Sequence, residues 1–304
     1  MNRHLTGLIP APYTPMNPDG SLNLEAIGTL AEVFLKARLR GAFVCGTTGE
    51  GVSLTISERK KVAERWQAAV RGDFVVIVNV SALCLEDSRA LARHAQGIGA
   101  YAIASMAPCF FKPASAEDLA LFCGEIADGA PDLPFYYYHI PEMTGVTIPV
   151  YDFLTAAANR IPTLTGAKFT TPDLMDFGRC LMQDGGRFDM LFGREQMLLS
   201  ALVLGAKGGV GTTYNFAGPL FQRIVAAYES GGIATARTEQ IRAAEMASIL
   251  GRFGGLAAGK AVMKMVGLDC GPPRLPQRPL SDGQCKELRA ELERIGFFER
   301  CFRF

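Results

Sequence analysis

The sequence reads as an α/β protein, a (β/α)8 TIM barrel with a small C-terminal helical appendage. Three observations carry that reading. Short apolar runs rich in β-branched and aromatic residues alternate with longer stretches of helical period, the texture of βα units around a parallel sheet. The alternation yields eight strand candidates, the number that closes a barrel. No early G-x-G-x-x-G follows the first strand, which weakens the alternative of an open doubly wound sheet. A chain of 304 residues suits one such domain.

The strands are expected at residues 6–11, 41–45, 74–80, 100–106, 134–139, 164–168, 189–192 and 208–211. Helices fill the gaps. The first covers 24–38 and puts Leu24, Ile27, Leu30, Ala31 and Phe34 on one face. The second covers 57–70, opened by Thr55 and Glu58 in the spacing of a capping box. Others are expected at 86–97, 116–128, 150–159, 171–182, 194–204 and 218–230. After Gly231 and Gly232 the texture changes. Segments 233–252, 256–266 and 281–295 read as helices, with a Pro-rich connector at 267–279 and no strand between them. The chain therefore divides into a barrel over 1–230 that carries the site and a helical extension over 231–304 packed on it. There is no repeat at fixed period and no low-complexity segment.

Composition narrows the function classes. Hydrophobic residues make up 49%, enough for a large core, and the formal charge of +1 offers neither a nucleic-acid footprint nor a polybasic membrane anchor. Arginines near the C-terminus interleave with acids, the pattern of a solvated helix face. The eight cysteines include no C-x-x-C pair, and several fall inside apolar runs, as reduced thiols of a cytoplasmic protein do. His4, His94 and His139 lie far apart, so no metal site is expected. The first residues lack an apolar h-region and meet Pro10 and Pro12 early, so no signal peptide is expected. No apolar stretch reaches the roughly 18 residues of a membrane span.

Barrel enzymes gather their chemistry at the C-terminal strand ends, and four such ends stand out. Gly46-Thr47-Thr48-Gly49-Glu50-Gly51 offers backbone N–H groups and two hydroxyls to an anion, or is an ordinary Gly-rich turn. In Tyr136-Tyr137-Tyr138-His139, consecutive side chains face opposite sides of the sheet. Tyr138 either presents its hydroxyl to the barrel mouth or packs as strand tyrosines do. Lys168 closes an apolar run; a lysine there is either a desolvated nucleophile for carbonyls or a side chain that snorkels to water. Gly208-Gly209-Val210-Gly211-Thr212-Thr213-Tyr214-Asn215 permits close backbone approach and offers hydroxyls, or is a turn needing positive φ. Gly254 to Ala261 mimics a phosphate loop, but Ala261 replaces the required hydroxyl and the stretch lies in a helical region, so nucleotide binding is not expected.

These strand-end motifs, in this order, resemble the N-acetylneuraminate lyase and dihydrodipicolinate synthase superfamily, and within it the animal-type lyase branch. The likeness runs from about Leu5 to Pro279 and rests on GTTGEGVSL at 46–54, FYYYHIPEMTGV at 135–146, GAKFTTPDLMDFG at 166–178, LLSALVLGA at 198–206, GGVGTTYN at 208–215 and GPPRLP at 271–276. The resemblance implies a class I aldolase that cleaves a 2-keto sugar acid, N-acetylneuraminate to N-acetylmannosamine and pyruvate, with no metal or organic cofactor and a homotetrameric assembly. It makes Lys168 the Schiff-base lysine and Tyr138 the proton shuttle. Thr47 and Thr48 become the seat of the keto-acid carboxylate, and Thr170, Gly193, Glu195, Gln196, Gly211 and Thr212 the sugar end.

Two departures bear on the substrate. Arg194-Glu195-Gln196 stands where the lyases show an Asp-Glu pair, and Thr212 where they show Ser. Met143 occupies the place of the arginine that dihydrodipicolinate synthases use for a carboxylated aldehyde. A synthase, or a 2-keto-3-deoxy sugar acid aldolase or dehydratase, is the enzymatic alternative. A keto-acid sensor on the same barrel is the non-enzymatic one.

Overall fold

A computed structural model describes residues 4–301; residues 1–3 and 302–304, the outer ends of the two expected segments, lie outside it. The eight strands are β1 (Gly7–Pro10), β2 (Gly41–Val44), β3 (Val75–Asn79), β4 (Ala102–Met106), β5 (Phe135–His139), β6 (Leu164–Phe169), β7 (Asp189–Phe192) and β8 (Gly208–Gly211). These strands pair in parallel, in the order β1-β8-β7-β6-β5-β4-β3-β2. Across the remaining seam the Arg40 N–H donates to Leu8 O at 2.8 Å. The result is a nearly closed (β/α)8 barrel.

The helices are α1 (Leu24–Lys36), α2 (Ile56–Ala69), α3 (Leu85–Gly97), α4 (Ala116–Ala127), α5 (Pro141–Thr144), α6 (Val150–Ala157), α7 (Leu174–Met182), α8 (Leu198–Leu204), α9 (Tyr214–Glu229), α10 (Ile233–Arg252), α11 (Leu256–Met265) and α12 (Asp282–Arg294). Most expected bounds move by a residue or two, as helix ends fray. Four differences have local causes. The segment expected from 171 starts at Leu174, because Asp173 caps it by accepting from the Met175 and Asp176 N–H groups. The segment 194–204 opens with a 3-10 turn, Glu195–Met197, before α8 begins. The helix expected from 218 begins at Tyr214 and crosses a kink at Ala217, just before Pro219. Helix α5 was not foreseen; Pro141 at its first position supplies a preset φ. On α1 the buried face uses Val33, while Leu24 is only half-buried.

Strand alternation sorts the core into two layers. Inside the barrel lie Ile9, Phe43, Ile77, Ala104, Tyr136, Tyr138, Leu191 and Val210. Between barrel and helices lie their neighbours in sequence, among them Val44, Val78, Ile103, Tyr137 and Phe192. Tyr137 thus packs outward on Phe153, with ring centroids 4.3 Å apart, while Tyr136 and Tyr138 point in. The inner layer fills the barrel below its mouth, so a polar side chain entering from a strand end has an apolar floor beneath it.

The helices after 231 are tied to the barrel at several points. Helix α10 packs along α9. The connector after α11 returns to the mouth: Cys270 O accepts from the Met16 N–H at 3.1 Å, and Arg274 donates to Glu58 from both terminal nitrogens, at 2.5 and 2.8 Å. That guanidinium, with the Thr55 cap, holds the Glu58 carboxyl down at about 2. Thr55 and Glu58 form the reciprocal capping box expected from their spacing. Thr55→Ala removes one side of it and is expected to cost about 1 kcal/mol, read as a lower urea midpoint at neutral pH. An unchanged midpoint would show that the box is idle.

Candidate active site

Lys168 lies one residue before the end of β6, in register with Tyr138 on β5. Its side chain runs into the barrel and is 5% exposed. The nitrogen sits 4.1 Å from the centroid of the Phe43 ring and 4.1 Å from that of Tyr138. Among the described residues it belongs to no ion pair. Two aromatic faces compensate a cation only in part, so burial dominates and pushes the amine down to about 7, against an opposing pull from Glu195. A large fraction of the amine is then neutral and nucleophilic near neutral pH.

Tyr138 meets this amine with its ring and meets the β2 loop with its hydroxyl. Its Oη and Thr47 Oγ1 share a hydrogen bond of 3.0 Å, and its ring sets an edge against Phe43. Burial raises the phenol to about 12, partly offset by Thr47, so the hydroxyl keeps its proton at neutral pH. On the other side of the loop, Thr48 Oγ1 and Thr212 Oγ1 share a bond of 2.6 Å. The segment Cys45–Glu50 thus bridges β5 and β8 over the barrel mouth. It enters and leaves through two residues with left-handed backbone, Cys45 at φ 57° and Glu50 at φ 54°.

The β6 and β7 ends form the opposite rim. Thr170 Oγ1 donates to His139 O at 2.7 Å. The Gly193 N–H donates to Phe169 O at 2.6 Å, and a Cβ on Gly193 would stand 2.7 Å from Thr170 Cγ2 and 3.4 Å from Lys168 Cε. Glycine here leaves room beside the lysine stem. Glu195 is buried and accepts through Oε1 from the Thr213 N–H (2.9 Å) and hydroxyl (3.1 Å). Gly211 ends β8 beside it. Arg194 straps the rim, donating to Glu142 Oε1 at 2.6 Å and to Thr170 O at 3.3 Å.

The structure therefore brings together Lys168, Tyr138 and Thr47, sets Thr48 and Thr212 beside them, and places Thr170, Gly193, Glu195 and Gly211 around the rim. Gln196 stands apart: it is exposed and is engaged through its carbonyl by Gln240 of α10 at 2.9 Å. Phe43 was missed from the sequence, because its strand is apolar on both faces and nothing in it marks the inward one. Thr213 and Arg194 were also missed as partners of Glu195 and Glu142, because both contacts join separate strand ends. Among the described residues no cluster of three or more His, Cys, Asp or Glu could hold a metal ion. His139 is buried and held down at about 4, and His94 pairs with Glu64. Among the described residues no helix is long and apolar enough to cross a membrane.

Chemically, the mouth offers a neutral amine over an apolar floor, a protonated phenol at its side, and a loop of hydroxyls and N–H groups. That set suits addition to a carbonyl, with proton transfer close by.

Comparison with known proteins places the chain among relatives of one family. The model of the Dihydrodipicolinate synthetase family matches residues 4–295. N-acetylneuraminate lyase of Mus musculus is 42% identical over 300 residues, 97% of this chain and 94% of the relative. That of Gallus gallus is 43% identical over 298 residues, 96% of this chain and 97% of the relative. Among solved structures, Proteus mirabilis N-acetylneuraminate lyase superposes with a TM-score of 0.94 at 40% identity, covering 97% of this chain and 100% of that one. With the match running through every strand of the barrel, the chain belongs to the Dihydrodipicolinate synthetase family.

Proposed function

We propose that this protein is a class I carbon-carbon lyase that cleaves N-acetylneuraminate to N-acetylmannosamine and pyruvate through a Schiff base on Lys168. The observation that carries the reading is the buried amine of Lys168 between Phe43 and Tyr138, without a carboxylate partner among the described residues. The lyases named above, at more than 40% identity over nearly the whole chain, support the substrate.

The steps follow from the positions. Neutral Nζ attacks the C2 ketone, and loss of water with uptake of one proton gives a protonated imine. The carboxylate sits on the hydroxyls and N–H groups of Thr47 and Thr48. The C3–C4 bond breaks as its electrons flow into the iminium, forming an enamine. Tyr138, which holds its own proton, works as a relay. It takes the C4 hydroxyl proton and passes its own along the bond to Thr47, toward the carboxylate. The aldehyde leaves, the same relay returns that proton to C3 of the enamine, and water hydrolyses the imine to pyruvate and free Lys168, releasing the proton taken up when the imine formed. Thr170, Gly193, Glu195, Gly211 and Thr212 face the sugar, while Gln196 is exposed and stands apart from them. Glu195 spends Oε1 on Thr213, which leaves Oε2 for a hydroxyl of the tail. Met143 carries no charge for a carboxylated aldehyde, and Arg194 is occupied by Glu142, which disfavours the synthase alternative.

A homotetramer in the cytoplasm completes the proposal. Among the exposed large apolar side chains, two sets stand out. One surrounds the mouth on the β2–β5 side (Val52, Leu83, Phe110, Phe111, Met143), and one lies on adjoining α7, α8 and α10 (Met175, Val203, Leu204, Ile241). Two such faces suit two different two-fold interfaces. Cys45, Cys123, Cys180 and Cys270 are buried free thiols, as a reducing compartment favours.

Pyruvate with borohydride is expected to add a reduced three-carbon adduct to the Lys168 peptide, seen by mass spectrometry; an unmodified peptide contradicts the Schiff base. Tyr138→Phe is expected to slow cleavage by about 100-fold or more while trapping stays within a few-fold. Equal losses in both would remove the relay. Lys168→Met is expected to abolish cleavage yet stabilise the chain by on the order of a few kcal/mol at pH 7. The lysine is protonated when unfolded and forced toward neutrality when folded, a cost that is complete below about pH 7, fades as pH rises toward 10.5 and is gone above it. A less stable variant at pH 7 contradicts the assigned burial cost.

A further inference from the structure

Lys260 is a second buried lysine, 3% exposed, and the chemistry above makes no use of it. It lies on α11, in the stretch that mimics a phosphate loop. Its ammonium is 2.7 Å from Glu50 Oε1 and donates to Thr14 O at 3.2 Å and to Pro272 O at 2.9 Å. Glu50, 4% exposed, directly follows Thr47-Thr48-Gly49 and holds a left-handed backbone. Its second oxygen accepts the Arg274 N–H at 2.7 Å. Thr14 in turn donates its hydroxyl to Gly49 O at 2.7 Å. The two residues behind the threonine pair are thus fixed from the C-terminal helices and connector and from the segment after β1. The approach is close: a Cβ on Gly259 would lie 1.7 Å from the Tyr13 hydroxyl oxygen, so α11 can sit here only with glycine beside Lys260.

A buried ion pair gains little net stability over a packed apolar pair, but it fixes position strongly, because breaking it strands a charge. A loop entered and left through left-handed residues needs such fixing. We propose that Lys260 and Glu50 are positioning residues that set the geometry of the carboxylate seat at Thr47 and Thr48, so that the C-terminal extension governs how well the site accepts a keto acid rather than a plain ketone. This rests on the reading of that loop as the carboxylate seat.

The test compares Lys168 trapping by borohydride with pyruvate and with acetone, which lacks the carboxylate. The Glu50→Gln/Lys260→Met double variant removes both charges and strands neither. Its second-order trapping rate with pyruvate is expected to fall about tenfold, and with acetone to stay within about twofold. Its KM for N-acetylneuraminate should rise by a similar factor, with kcat within about threefold. Thr14→Val, which removes only the hydroxyl bond to Gly49, should shift pyruvate trapping in the same direction by about threefold, and it keeps the test alive if the double variant does not fold. Pyruvate and acetone rates falling together, or neither falling, overturns the positioning role alone. Wild-type protein that traps no pyruvate overturns the functional reading and this inference with it.

Discussion

Keeping an amine out of water without giving it a counter-ion is the constraint around which the mouth of this barrel is arranged. A lysine 5% exposed at a strand end would normally turn to solvent or find a carboxylate. Here Phe43 and Tyr138 cover it from β2 and β5, Gly193 makes space for its stem, and the nearest influential acid, Glu195, is tied to Thr213 of the next loop. They come from four places around the ring: β2, β5 and the segments after β7 and β8. A ring of parallel strands is what allows side chains far apart in sequence to converge on one nitrogen.

The contrast with Lys260 is instructive. Both lysines are almost fully buried, but one faces two aromatic rings and the other faces Glu50 and two carbonyls. Burial alone therefore does not make a nucleophile; burial without an anion does. The paired lysine lies behind the Thr47-Thr48 loop and the unpaired one in front of it, so the same residue type serves rigidity on one side and reactivity on the other. Tyr138 links the two sides through Thr47.

Much of this was legible in the chain. Apolar runs gave all eight strands because a parallel sheet buried on both faces leaves a strong signal. The alternation rule set Tyr136 and Tyr138 on the face opposite Tyr137, and the fold makes theirs the inward one. Lys168 stood out because charge at the end of an apolar run is expensive. What stayed hidden depends on contacts between distant segments: the Glu195 bond to Thr213, the Arg194 strap to Glu142, and the Lys260–Glu50 pair, whose members are 210 positions apart. The Gly259-Lys260 stretch looked like a failed phosphate loop; its glycine in fact answers to Tyr13 and its lysine to Glu50. The starts of α7 and α9 moved because local caps and a proline kink outweigh apolar period.

The measurement that decides the matter is a direct titration of the Lys168 amine in ligand-free protein, by carbon NMR of lysines labelled at the ε-carbon, with the signal assigned by its loss in a Lys168→Met variant. The amine should release its proton with a midpoint at about 7. A midpoint near 10.5, the ordinary lysine value, would mean a solvated ammonium at that strand end and would contradict the account.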